Sequence, residues 1–453
     1  MHARVQRQPW LGIEQLRRLD PHTPLVLEGV PLQRSITGMS PAVLEAELPN
    51  LEGGVHQQLH PTMLYYSSKK PLAQVKSFHK RPSTLRNMSA TELLQSLHET
   101  ATAAAWDESF LEAAICAQRS WWYYSAPNTT TSVAVTRKHV DIQLLEQAVT
   151  RMSTGSAHVH SINLWLGGAG VTASTHYDAS VNFFAQLHGS KQFILTAPAA
   201  ENLLQPYSFL HPHFRRAQRP LQNSSSHWLS LAELRKGDVL FLPAFYFHEV
   251  TATSTVSISV NVWANDQFVE HVQQMQRHAA SALGLDETNE AIGHRGTFDS
   301  SWPLQARAAL LEHTTQEIIA RTLALSPALS RSWLADRMIA RWASVQRRYP
   351  QALGKLAKFC DPGMRHQRAQ LALHHLRMRP AEVQEQVQAR LEKAASSVAS
   401  AMRALPEGAI ELELGNLVEQ AAFEVLGNVK ITGSFLVNCF KDDQRSTQPT
   451  LIL

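Results

Sequence analysis

A histidine and an aspartate two residues apart, His176 and Asp178, stand near the head of an apolar, strand-like run, VTASTHYDASVNFFAQLHGSKQFILTAP. In an extended strand, residues so spaced point to one face and can converge on one point in space. A second apolar stretch, GDVLFLPAFYFHEV, carries His248 far downstream. Only a folded sheet brings it to the same point. Two imidazoles and one carboxylate on one face of a metal leave its other positions open, the arrangement of non-haem Fe(II) oxygenases. Zn²⁺ would bind the same groups but could not activate dioxygen. The competing reading is a surface pair, since a lone His-x-Asp arises by chance in a chain with 22 histidines.

The neighbours weigh against that reading. Asn182, Phe184 and Gln186 share the parity of His176 and Asp178, so one strand face carries both metal-ligand types and two amides. On a plain core face those amides would cost free energy unless hydrogen-bonded. Lys191 opens the strand KQFILTAP with Phe193 and Leu195 on its own side. A lysine looking into a barrel is rarely buried without an anion, and a dicarboxylate would supply one. Asn261 in SVNVW is another lone amide among apolar neighbours, and Gly237-Asp238 is a turn that opens the strand segment bearing His248.

The elements that must position these residues are strands. From Ser161 the segments SINLWLGG, VNFFAQLHG, KQFILTAP, GDVLFLPAFYFHEV and SISVNVWAND alternate with Gly, Pro, Asn, Asp or Ser clusters, the punctuation of a β sandwich or barrel. Residues 1–23 read as a helix-prone lead-in. A β-rich domain follows at 24–265, with a short strand from Thr23 to Gly29 and a strand at 62–67. Helices are expected within 40–54, 89–97 and 142–152. NTTT at 128–131 reads as a connector, and 199–229 as a long polar excursion. Beyond Asp266 the pattern turns helical, at about 267–284, 303–324, 328–348, 364–378, 380–404 and 409–426, giving a third segment, 266–453.

The whole chain sets limits. At 453 residues it is too long for one ordinary core. No apolar run approaches the roughly 20 residues of a membrane span, and the N-terminus lacks the pattern of a secretory signal. Cys116, Cys360 and Cys439 are odd in number and far apart, which argues against a disulfide framework and for a reducing compartment. The net charge of +4 gives no overall nucleic-acid footprint. Basic residues do crowd 341–380, a face for RNA or an ordinary wet surface. His158 and His160 share strand parity without a third ligand beside them. His211 and His213, with Arg215, Arg216 and Arg219, face substrate or solvent. The aromatic cluster SWWYYS at 120–125 reads as core, with Tyr123 or Tyr124 as the ring that would reach a site.

HYDASVNFFAQLHGSKQFIL, preceded by NLWLGG, resembles the JmjC-type Fe(II)- and 2-oxoglutarate-dependent oxygenases, above all the asparaginyl hydroxylase that inhibits hypoxia-inducible factor, and is similar to JmjC protein hydroxylases and the wybutosine-pathway hydroxylase. The resemblance covers about 24–265 and leaves out the helical C-terminus. It implies a double-stranded β-helix, a cupin or JmjC jelly roll with flanking helices, followed by an all-α region. It places iron on His176, Asp178 and His248, and the distal carboxylate of 2-oxoglutarate on Lys191, supported by Asn182 and Asn261. The family often has a threonine three residues before the first ligand, where this chain has Ala173; Thr172 or Thr175 would then supply the hydroxyl, and the pocket's tyrosine falls on Tyr124 or Tyr123. The implied activity is hydroxylation of a protein side chain with release of succinate and CO₂. Its alternatives are action on a tRNA base, lysine demethylation, or a non-catalytic scaffold. The expected setting is cytoplasmic or nuclear, or mitochondrial as a weaker alternative. The expected partners are a protein substrate, RNA on the basic helices, and a second copy through the C-terminal helices.

Overall fold

The computed structural model describes residues 3–441 apart from 36–37, 79, 102–119, 128–129, 154–156, 222–227, 289–295, 300, 349 and 351–359. The chain groups into two compact units, one drawn from 1–66, 80–200 and 219–269, the other from 67–79, 201–218 and 270–453.

The first unit is built from strands β1 (Ala3–Arg4), β2 (Gln6–Pro9), β3 (Leu25–Glu28), β4 (Val55–Gln58), β5 (Thr62–Met63), β6 (Thr84–Arg86), β7 (Trp121–Pro127) and β8 (Ala157–Gly167). It continues with β9 (Thr172–Tyr177), β10 (Val181–His188), β11 (Ser190–Thr196), β12 (Ser230–Arg235), β13 (Val239–Leu242), β14 (Phe247–Ala252) and β15 (Ser257–Asp266). Six form a sheet in the order β1-β12-β11-β14-β9-β5, and nine form a second in the order β2-β3-β13-β10-β15-β8-β7-β4-β6. Phe193, Leu195, Ala232 and Leu234 from the first pack against Val26, Phe184, Leu240 and Leu242 from the second. This is the jelly roll, its core between the sheets.

Strand β10 is buried at Val181–Leu187, on both faces, because a helix covers the outer one. That helix, Ile142–Met152, starts where Asp141 accepts from the Leu144 N–H at 3.2 Å. Ile142, Leu145, Val149 and Met152 recur at helical spacing and are buried, and the helix packs on β8, β10 and β15. Each such side chain contributes about 1.5–3 kcal/mol when fully buried.

Several local expectations are corrected. The lead-in forms two strands, with Ala3 paired to Ser230 and Gln6 to Leu25, both parallel, and among its described residues the only helix is a 3₁₀ turn at Ile13–Arg18. A helix, Thr131–His139, begins inside the supposed connector NTTT, of which 128–129 lie outside the described residues. GDVLFLPAFYFHEV is two strands, β13 and β14, split at Pro243.

In the second unit the main helices are Leu304–Leu323, Pro327–Arg341, Pro362–Arg377, Ala381–Arg403, Ala409–Leu426 and Val429–Asn438. Prolines stand at the first turn of two of them, where a missing N–H costs nothing. Among the described residues no helix is long and apolar enough to cross a membrane. Two arginines of the basic stretch are internal: Arg341 pairs with Glu419 at 3.0 Å, and Arg368 with Glu312 at 3.1 Å. His211 is also buried. It stacks on Tyr207 at 4.4 Å, and burial pushes its pKa down to about 2, so it stays neutral and is not solvated.

Cys360 and Cys439 are disulfide-bonded, with Cα atoms 4.4 Å apart. This overturns the expectation drawn from cysteine count and spacing, and with it the argument for a reducing compartment. Both residues flank helices, Pro362–Arg377 and Val429–Asn438, whose ends the fold brings together. Cys116 lies outside the described residues. The bond joins positions 79 residues apart, so opening it should cost about 2–5 kcal/mol. Thermal unfolding with reductant, or of Cys439→Ser, should begin roughly 10 °C lower. Identical unfolding curves would show that the bond carries no stability.

Candidate metal centre

His176 closes on its partners through the pairing of β9 with β14, where it stands opposite His248. Their rings lie 4.1 Å apart, and His248 Nε2 is 3.8 Å from Asp178 Oδ2. One ligand atom from each of His176, Asp178 and His248 lies within 4.8 Å of the others, which makes them the one such grouping found among the described residues. In both rings Nδ1 is spoken for: that of His176 sits 2.7 Å from the Ser174 carbonyl, that of His248 3.0 Å from the Tyr246 carbonyl. Carbonyls only accept, so each Nδ1 carries the proton. Each Nε2 is thereby the unprotonated nitrogen, the form in which an imidazole ligates a cation.

Asp178 lies just beyond β9, and its carbonyl accepts from the Phe245 N–H at 2.7 Å. Phe245 holds a left-handed φ of 68°, a conformation that is uncommon for a bulky side chain. That strained turn ties the aspartate's backbone to the segment that delivers His248.

The neighbourhood of β9 departs from simple parity. Ala173 pairs with Val250 and His176 with His248, so β9 carries one more residue than β14 over that interval. Such a bulge turns Ala173 to the same inner face as the ligands and Thr172 to the outer face. There Thr172 bonds Thr251 at 2.9 Å, and Thr175 donates to Glu249 at 2.8 Å. Neither threonine reaches the site, which corrects the expectation for Thr172. Tyr124 is corrected likewise: it is fully buried on the outer face, its hydroxyl 2.7 Å from Ser132 Oγ. Tyr123 takes the inner position, stacked on Trp165 at 5.8 Å.

Lys191 lies on the inner face of β11, opposite Ala252. Leu195, opposite His248, is four residues on, about 13 Å along the strand. The lysine is 4% exposed, and its one hydrogen bond among the described residues goes to Ser259 Oγ, at 2.6 Å. Burial alone pushes its pKa from 10.5 down to about 7; no charged group opposes the shift. A buried cation whose partner is a neutral hydroxyl fits a site made for an anion. Asn182 and Asn261 share the inner face and bond each other at 3.1 Å, and Trp165 donates to Asn261 at 2.7 Å. A row of rings runs beside them: Tyr123, Trp165, Trp263 at 6.1 Å from Trp165, then His160 at 6.5 Å from Trp263. His160 bonds Ser180 at 2.9 Å. Ser259 was not singled out in the sequence, although SISVNVW places Ser257, Ser259 and Asn261 on one face and so shows a polar stripe in an apolar strand.

The donor set fits a divalent transition metal with open positions, and Lys191 fits a carboxylate held deeper in the barrel. Comparison with protein families matches residues 18–270 to a cupin-like domain. Over 124 residues the chain is 27% identical to a lysine-specific demethylase of Arabidopsis thaliana, covering 25% of this chain and 22% of that protein. Over 115 residues it is 30% identical to a tRNA wybutosine-synthesizing protein 4 of Gibberella zeae, covering 23% and 10%. Over 109 residues it is 33% identical to Jumonji C domain-containing protein 5 of Drosophila melanogaster, covering 22% and 27%. These matches span about a tenth to a quarter of the relatives' own lengths. With the jelly roll and the His-x-Asp…His grouping both in place, the chain belongs to the cupin-like domain family and is of the JmjC type.

Proposed function

We propose that this protein is an Fe(II)- and 2-oxoglutarate-dependent oxygenase that hydroxylates a protein side chain. The observation that carries the reading is Lys191, a buried cation without a carboxylate partner among the described residues, in the same barrel as three convergent candidate metal ligands. His176, Asp178 and His248 would hold the iron on one face, and Lys191 would take the distal carboxylate of 2-oxoglutarate. Iron and the 2-oxo acid, when bound, supply oxidation of a C–H bond by dioxygen with release of succinate and CO₂. The protein's own part is placement. Phe184, Phe193 and Leu195 are buried in the core cluster of the barrel, and with water kept from it the Lys191 charge interacts more strongly with an anion. The ring row from Tyr123 to His160, whose members Trp165 and Trp263 meet edge to face, offers an aromatic surface for a substrate side chain.

A protein substrate is favoured over RNA because Arg341 and Arg368, two members of the basic stretch, are engaged in buried ion pairs. The names of the relatives keep a tRNA base and a methylated lysine as competing targets. The test is mass spectrometry of proteins captured by the Asp178→Ala variant and then treated with Fe(II)-loaded wild type and 2-oxoglutarate. A gain of one oxygen mass on a side chain is expected. Loss of a methyl group from lysine, or modification of co-purifying tRNA alone, would contradict the proposal.

A further inference from the structure

We propose that Ser259 is the hydroxyl that completes the carboxylate site around Lys191, in place of the one that Ala173 does not offer. This inference rests on the reading of the barrel as a 2-oxoglutarate site.

The inner-face positions nearest Lys191 on its own sheet are apolar. Ala252 lies opposite it on β14 and Leu234 on β12, with Phe193 and Val250 one step along. The β9 position facing inward is Ala173, and the hydroxyls on either side of it in sequence that could substitute, Thr172 and Thr175, are turned outward and engaged. The facing sheet supplies a hydroxyl within hydrogen-bond reach of Lys191. Ser259 on β15 is that group. It is 0% exposed, and its Oγ accepts from Lys191 Nζ at 2.6 Å. An ammonium has three protons, and a serine hydroxyl that accepts one of them keeps its own proton to donate. Two further ammonium protons and the Ser259 O–H thus converge without an acceptor among the described residues. A carboxylate has two oxygens, enough to take the Lys191 N–H on one and the Ser259 O–H on the other. No titratable group on β10, β12, β14 or β15 faces Lys191: its neighbours there are Phe184, Leu234, Ala252 and Ser259. Burial is the sole cause of its lowered pKa.

The experiment is calorimetric titration of the Zn²⁺-loaded full chain with 2-oxoglutarate and with 2-oxobutanoate, which has the same 2-oxo acid end and no distal carboxylate. Zn²⁺ keeps turnover out of the measurement. Ser259→Ala should weaken 2-oxoglutarate about tenfold, the loss of one hydrogen bond to a charged group. Binding of 2-oxobutanoate should be unchanged. Adding Ala173→Thr to Ser259→Ala, which restores a hydroxyl from the other side, should recover most of the loss. Undiminished 2-oxoglutarate affinity in Ser259→Ala would overturn the assignment, as would a loss that Ala173→Thr does not repair. Wild-type protein that takes 2-oxoglutarate no more tightly than 2-oxobutanoate would instead overturn the underlying reading of the site.

Discussion

Replacing His176 with alanine should abolish binding of a divalent metal. The side chain is one of three convergent candidate ligands, its Nδ1 proton fixed on the Ser174 carbonyl, so Nε2 is the nitrogen that would hold a cation. Outer partners of metal-bound histidines alone are worth about 10–100-fold in affinity, so loss of the ligand itself should exceed a hundredfold. Metal content after dialysis against a competing chelator reads this directly, and His248→Ala should behave alike. Thr172→Ala is the contrasting variant. Its hydroxyl is on the outer face, bonded to Thr251, so metal and 2-oxoglutarate affinities should both stay at the wild-type value. Equal metal content in the His176→Ala variant and wild type would refute the assignment of the centre.

Lys191→Met should produce two opposite effects in one variant. Truncating a buried charge that meets an anion costs about a hundredfold or more in affinity, so 2-oxoglutarate binding should collapse. The cosubstrate-free protein, by contrast, should gain roughly 1 kcal/mol or more of stability, because methionine removes a desolvated ammonium that nothing neutralises. The sign with pH follows from the lowered pKa. With a folded value of about 7 against 10.5, the unfolded chain binds the extra proton between them. Stability of the wild type should therefore rise as pH climbs from about 7 toward 10.5, and the penalty is complete below 7. In Lys191→Met that slope should vanish. A variant less stable than wild type at neutral pH, with the slope intact, would show that Lys191 is structurally paired.

The grouping of His176, Asp178 and His248 was legible in the sequence because chemistry restricts candidate metal ligands to few residue types, and because His176 and Asp178 stand two apart in an apolar run. Parity also put Asn182 and Gln186 on the inner face, and Lys191 on the side of Phe193 and Leu195, while Asn261 stood out as a lone amide in an apolar strand. Thr172, offered by the family resemblance as a substitute hydroxyl, turns outward because of the extra residue between Ala173 and His176, which is invisible in composition. Tyr123 and Tyr124 could not be separated, because adjacent aromatics read alike until the register of β7 on β8 is known. The N-terminal strands were missed for a related reason: β1 and β2 pair with β12 and β3 across the sequence, and nothing local in MHARVQRQPW marks them as extended. The disulfide depended on helix ends meeting after 79 residues, a tertiary fact with no local signature.

Succinate formation from 2-oxoglutarate by the full chain, loaded anaerobically with Fe(II) and then given dioxygen, tests the central claim most directly. Wild-type protein should release succinate, even without a substrate at a slower uncoupled rate. The His176→Ala variant and Zn²⁺-loaded wild type should release none above background. Wild-type protein that binds Fe(II) yet forms no more succinate than His176→Ala, with captured substrates present, would contradict the account.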